Sequence, residues 1–285
     1  MIGLAFRRVR GSWRNLDRLR VPRHFRLLAV FYLVEYFTRM ALLGLQIRFG
    51  PHPKARPERL TVIVPAYGRL ENLAPIVRSA LCLPFLDRII VVNGNPDARV
   101  AEWIPEDPRV VPIDDHGSGV GVRFSVASDH PADYYITFDD DMIPRPTQIA
   151  RLFGALVEDP EVTHGMIGVR YTGSDERPFE FGIRGREESV DLLNGCHAFT
   201  RQHLERYHEL LEALDLPPSR EVHNGEDIVM SAAGAGQPRV HRLGRWIQCP
   251  STIDPTVAIH LRRPGFRTER LELFRRARTV ARHGE

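Results

Sequence analysis

From residue 60 onward, short unbroken apolar runs alternate with stretches whose apolar residues recur at helical spacing. The runs at 60–65, 88–93 and 134–138, with a shorter one at 109–113, predict strands. Strands apolar at every position are buried on both faces, as in a parallel sheet. The spacing between them predicts helices over 73–83, around 123–128 and over 147–157. Strand–helix alternation at this pitch implies an α/β fold with a mainly parallel sheet and right-handed crossovers. After Val169 the pattern changes. Residues 192–200 read as an irregular strand entering a helix. The segment 223–230 puts Glu226 and Asp227 at a helix start, where capping and the helix dipole favour acids. Residues 269–282 have the spacing of an amphipathic C-terminal helix.

The first 57 residues are different. They hold 12 of the 39 basic residues and only 2 of the 36 acidic ones, whereas the remainder carries 27 basic and 34 acidic. Arginines alternate with Leu4, Phe6, Trp13, Leu16, Leu19 and Phe25. A mostly apolar stretch, 27–49, follows, interrupted by Glu35, Arg39 and Arg48. Glu35 and Arg39 are four residues apart and can pair on one helix face. This predicts a basic amphipathic helical extension lying on an anionic membrane surface through residues 1–50, rather than a span. Proline-rich residues 51–57 form a stiff linker. The expected division is therefore 1–57 as the membrane-associating segment and 58–285 as the main α/β domain, itself in two halves, 58–145 and 146–285. Basic clusters without interleaved readout motifs, beside an acidic main part, exclude a nucleic-acid-binding role. Three cysteines, far apart and without metal-ligand spacing, suit a reducing cytoplasmic setting. The expected location is the inner face of the membrane.

The chemistry concentrates at Asp139, Asp140 and Asp141. They end a predicted buried strand, at the sheet edge where open α/β folds bind ligands. Like charges packed so closely call for a cation, and hard carboxylate oxygens suit Mn2+ or Mg2+. The natural companion of such a metal is a diphosphate. Gly117, Gly119 and Gly121 are a weak match to a dinucleotide fingerprint, because they follow a polar turn; they read as loop flexibility near a phosphate.

Taken in order, a strand ending in an Asp triplet, Asn224-Gly-Glu-Asp-Ile-Val-Met230 at a helix start and a terminal arginine segment resemble GT-A glycosyltransferases. The exostosin C-terminal family, glycosyltransferase family 64, is similar in its first-strand segment, triple aspartate, Asn-x-Glu-Asp element and Pro264-Gly265 to Arg270 segment. Where that family has a histidine after Pro-Gly, this chain has Phe266, with His260 a possible substitute. Family 2 is the second choice, on Val62-Ile-Val-Pro-Ala-Tyr67.

The resemblance implies a Rossmann-like GT-A fold and a metal-dependent transfer of sugar from a nucleoside diphosphate donor, a UDP-sugar first, to a glycan or lipid-linked acceptor. It implies donor binding by Pro65, Tyr67, Arg69, Asn93, Arg123, Asp139 and Asp140, and metal binding by Asp141 and Asp139. Asp227 becomes the catalytic carboxylate, with Glu226 orienting sugar hydroxyls and Arg270 on the diphosphate. Asn194, Gly195 and His197 fall on the acceptor side. The exostosin likeness implies retention of configuration; the family 2 alternative implies inversion, with Asp227 as base. Two other classes compete. A nucleotidyltransferase would carry a glycine-rich basic loop after the first strand, whereas Pro65–Arg69 holds one glycine and one arginine. A transferase-like membrane scaffold would not need the carboxylates and arginines, all of which are present.

Overall fold

The computed structural model describes residues 23–174, 176–249 and 265–283. Most of the arginine-rich start, His260 and Arg262–Pro264 lie outside them. The chain divides into two compact units, Met1–Leu43 and Gly44–Glu285. The division falls inside helix α1 (Arg23–Phe49), upstream of the boundary expected at residue 57. Glu35 and Arg39 pair on α1 at 2.7 Å. Its apolar residues are spread around the axis rather than gathered on one stripe, and most of the arginine-rich stretch behind the expected amphipathic character lies outside the described residues. No helix among the described residues is long and apolar enough to cross a membrane.

In the second unit, strands β1 (Leu60–Ala66), β2 (Leu86–Asn93), β3 (Val110–Asp114) and β4 (Tyr134–Phe138) run parallel in the order β3-β2-β1-β4. Helices α2 (Leu73–Leu81) and α3 (Val122–Asp129) connect them. β1 and most of β2 are buried along their length, which is why their sequences are apolar without alternation. The strand order reverses beside β1, so the carboxyl ends of β1 and β4 open a crevice between them.

Beyond β4 come β5 (Met142–Ile143), α4 (Pro146–Glu158), β6 (His164–Gly165), β7 (Gly168–Tyr171), β8 (Phe179–Ile183), β9 (Glu188–Ser189), β10 (Leu192–Leu193) and β11 (Cys196–Thr200). β11 joins the sheet antiparallel to β4, with Cys196 opposite Phe138 and Thr200 opposite Tyr134. This reversal matters for the site. It sets the start of β11 at the edge where β4 ends, and the Asp139 amide donates to the Gly195 carbonyl at 2.8 Å. α5 (Arg201–Ala213), α6 (Glu226–Ser231), β12 (Arg239–Val240), β13 (Ile247–Gln248) and α7 (Phe266–His283) complete the unit. The large sheet continues as β4-β11-β6-β12-β9; β10-β7-β8 and β13-β5 form two small sheets.

α7 turns Arg270, Leu273, Phe274 and Ala277 inward, the i, i+3, i+4, i+7 pattern legible in its sequence. It approaches α6 closely because Gly225, the N-cap of α6, has φ +86 and no side chain. A Cβ at that position would stand 2.3 Å from Leu273 Cδ2. That approach brings Arg270, one turn before Leu273, onto the first turn of α6.

Candidate active site

The carboxyl ends of β1 and β4, the start of β11, α6 and the first turn of α7 wall a cleft of about 940 Å³. It brings together Pro65, Tyr67 and Arg69, then Arg123, Asp139, Asp140 and Asp141, then Asn194, Gly195, Glu226, Asp227 and Arg270. Two of the expected residues are elsewhere. Asn93 is fully buried. Its Nδ2 donates to the carbonyls of Asn95 and Ala98 and to Asp114, while its Oδ1 accepts from the Asn95 amide. It ties the end of β2 to β3 and has no group left for a nucleotide. His197 is also fully buried, edge-on to Phe124 at 6.1 Å, and among the described residues neither ring nitrogen has a partner. Burial lowers its pKa to about 4, so the ring is neutral beneath the cleft and is not an acceptor-side acid or base.

The three aspartates have separate tasks. Asp139 accepts from Arg123 Nη1 at 2.7 Å, and about a third of its side chain is exposed. Asp140 is buried: it accepts from Arg69 at 2.8 Å and from the Tyr67 amide at 3.3 Å, while its carbonyl accepts from Asn72. Burial raises its pKa despite Arg69. With both oxygens engaged, Asp140 shapes the loop after β1 rather than offering a contact to a nucleotide. Asp141 lies 3.8 Å from Arg69 and lines the cleft.

The opposite wall is drier. Arg270 grips Asp227 with two bonds of 2.8 and 2.7 Å, and both groups are buried. Burial alone would raise the Asp227 pKa, but the guanidinium more than offsets it and holds the carboxylate ionised. Arg270 is thus committed to Asp227, with Phe266 over its guanidinium at 5.4 Å, and is not turned toward a diphosphate. Glu226 lacks such a clamp. Burial, and then the charge of Asp227, raise its pKa to about 7. Arg123 links the walls: it is 2.7 Å from Asp139 and 3.8 Å from Glu226.

The glycines of 117–121 act through packing. The Gly119 and Gly121 amides donate to the carbonyls of Arg220 and Val222, and a Cβ at either would sit 2.1 or 2.2 Å from a carbonyl oxygen of that segment. Those amides are spent within the protein, so they do not form a phosphate cradle. Only Gly117 needs the left-handed backbone, at φ +89.

The cleft also contains Asp115, which the sequence reading missed. It is held by the Ser118 hydroxyl at 2.6 Å and by Arg220 at 3.1 Å. The signal was there, because acids ending a parallel strand are what singled out 139–141. Phe179 and Phe181 of β8 line the cleft as well and gave no such signal.

Asp139 and Asp141 bear on a divalent metal. Among the described residues no three His, Cys, Asp or Glu side chains converge as a closed metal cage. Two carboxylates at a cleft wall fit instead a Mg2+- or Mn2+-type ion that takes its remaining ligands from phosphate and water.

A parallel sheet with carboxylates and arginines gathered at its carboxyl edge over such a cleft suits a phosphate-bearing ligand and its counter-ion. Residues 61–208 match glycosyl transferase family 2, and the chain belongs to that family. The match stops short of Asn224–Met230 and Pro264–Arg270, the segments that suggested the exostosin family, and selects the second choice instead. A comparison with curated proteins gives no match. Among solved structures, the chain is similar to a CMP:2-keto-3-deoxy-manno-octonic acid synthetase complexed with CTP (16% identity, TM-score 0.45, covering 71% of this chain and 98% of that one). It is similar to a mannosyltransferase from Pyrobaculum calidifontis in complex with GDP-Man and Mn2+ (17%, 0.41, 77% and 69%). It is also similar to GalNAc-T7 with UDP, GalNAc and Mn2+ (10%, 0.44), covering 66% of this chain and 42% of that one.

Proposed function

We propose that the protein transfers a sugar from a nucleoside diphosphate donor, a UDP-sugar first, to a hydroxyl of a glycan or lipid-linked acceptor, and that it inverts the anomeric centre with Glu226 as base. The observation that carries this reading is Arg123, which bridges the aspartates after β4 and the acidic pair opening α6 within one cleft. Inversion needs a base whose pKa lies near the working pH, facing the acceptor. Glu226 meets that requirement, whereas Asp227 is held ionised by Arg270. Two carboxylates pushed apart in this way take different roles. This moves the base from Asp227 to Glu226 and replaces the retention implied by the exostosin likeness.

Tyr67, whose ring is exposed at the end of β1, suits stacking on a nucleobase, and Asp115 suits its polar edge. Asp139 and Asp141 would hold the metal, which when bound neutralises charge on the departing diphosphate. Glu226 takes the proton from the acceptor hydroxyl. The new C–O bond forms at the anomeric carbon from the side opposite the donor phosphate, and the old C–O electrons leave with the nucleoside diphosphate. Asp227, fixed by Arg270, keeps a negative charge beside the developing oxocarbenium.

The test is incubation with a panel of nucleotide sugars and Mn2+, reading nucleoside diphosphate release and product configuration by NMR. One donor should be consumed and its anomeric configuration reversed. No release from any donor would end the transferase assignment; unchanged configuration would end only the inversion.

Membrane attachment belongs to the same proposal. Val34, Phe37, Leu42, Leu45 and Phe49 are exposed on α1, next to the basic excess of the first 57 residues. Deleting residues 1–50 should abolish sedimentation with anionic liposomes, and persistent sedimentation would place the anchor elsewhere.

A further inference from the structure

Outside α1, two large apolar or aromatic side chains stand exposed among the described residues: Tyr67, 61% exposed, and Phe181, 53% exposed. Both line the cleft. Exposed rings carry no penalty worth explaining when scattered singly, but here the two converge on one cavity. Tyr67 follows β1, on the donor side. Phe181 is on β8, a strand of the small sheet outside the parallel core.

Phe181 is held in place by its surroundings. Val169 pairs with Phe181 and Gly168 with Ile183, so Gly182 is an extra residue, with φ +79. Such a bulge re-aims the side chain beside it, and bulges recur next to active sites. On the same face, Tyr171, Phe179 and Phe274 form a packed aromatic group. Phe179 lies 5.6 Å from Phe274 and 5.9 Å from Phe181. The ring series therefore runs from the α7 core out to the cleft and ends in an exposed phenyl. Arg170 and Glu180 pair at 3.3 Å one residue along each strand, on the opposite face.

We propose that Phe181 is the acceptor platform: a saccharide acceptor lays the C–H face of one ring on it and presents a hydroxyl to Glu226. This rests on the transferase reading above and names its acceptor class. A sugar ring suits the surroundings better than a lipid chain. The cleft that Phe181 lines is also walled by the amides Asn194, Asn224 and Gln248, which suit hydroxyls. An acyl or prenyl chain would need a continuous apolar channel.

Saturation-transfer NMR on the full chain, with UDP, Mn2+ and a panel of methyl glycosides as probes, tests the assignment. At least one glycoside should bind, with its strongest signals from C–H protons on one ring face. Phe181→Ala should weaken that binding about tenfold, Phe181→Trp should restore it, and UDP affinity should stay unchanged in both variants. Three results overturn the platform: no glycoside binds, Phe181→Ala leaves glycoside affinity intact, or it weakens UDP equally. Failure of the transferase reading is separate, because it shows in the unaltered chain as no nucleoside diphosphate release from any donor. A chain that releases the diphosphate but binds no glycoside loses only the platform.

Discussion

The two acidic clusters facing each other across the cleft are held in opposite ways. Asp139, Asp140 and Asp141 follow a strand, and their charge is shared between Arg69 and Arg123. Asp139 remains partly in solvent. Glu226 and Asp227 open a helix and are buried, and one arginine takes Asp227 almost wholly for itself. The wetter cluster can give up protein contacts to a cation and a diphosphate at small cost. The drier one keeps a permanent charge beside a group that titrates near neutrality. In the proposed mechanism, burial divides binding from proton transfer.

The largest effect expected from breaking this division is at Asp141. Asp141→Ala should lower turnover on the order of 10⁴-fold and abolish the Mn2+-dependent gain in UDP affinity, since a bound metal contributes several kcal/mol to charge stabilisation. Steady-state kinetics and titration calorimetry check it, and full activity in the variant would remove the metal from Asp141. Next comes Glu226→Gln, which should cut kcat by about 10³-fold with little change in donor affinity. In the unaltered enzyme kcat/KM should rise with pH through about 7, as the Glu226 carboxyl loses its proton. A flat profile there would exclude Glu226 as base.

Arg270→Met should act on stability. It strands the buried Asp227 charge, at a cost of about 3–5 kcal/mol, seen as a fall in Tm of about 10 °C. Adding Asp227→Asn should recover most of that loss while leaving the enzyme inactive. The smallest effect is on the pH dependence of stability. The folded pKa of Glu226 is raised above its unfolded value, so its contribution is fully present below the unfolded value and is lost as pH rises through about 7. Glu226→Gln should flatten the Tm–pH curve between about pH 4.5 and 7; an unchanged slope would assign the titration to another group.

The parallel core was legible because β1, β4 and most of β2 are buried along their length. The runs at 60–65, 88–93 and 134–138 each coincide with a parallel strand within a few residues. The acid triplet was also legible, since three like charges packed at the end of a buried strand call for cations beside them. What each aspartate does was not. Only the fold shows that Asp140 turns inward to Arg69 while Asp139 turns to Arg123. Asn93 looked like a ligand contact because it ends β2, yet its hydrogen bonds are all local. The chain beyond β4 was harder to read, as its strands are mostly two to five residues long and leave little periodicity. Phe181 depends on a bulge at Gly182, and no pattern of apolar residues announces a bulge. The pairing of Asp227 with Arg270 depends on a helix approach that Gly225 permits, and only the packed structure reveals it.

That pairing has a consequence for biosynthesis. Asp227 and Arg270 are separated by 43 positions, with β12 and β13 between them. A chain emerging from the ribosome therefore displays β1 to β4, and the triplet at 139–141, well before α7 is available to fix the carboxylate at 227. The buried Asp227 carboxylate therefore gains its counter-charge only when α7 packs, which makes that helix the last step in completing the cleft wall.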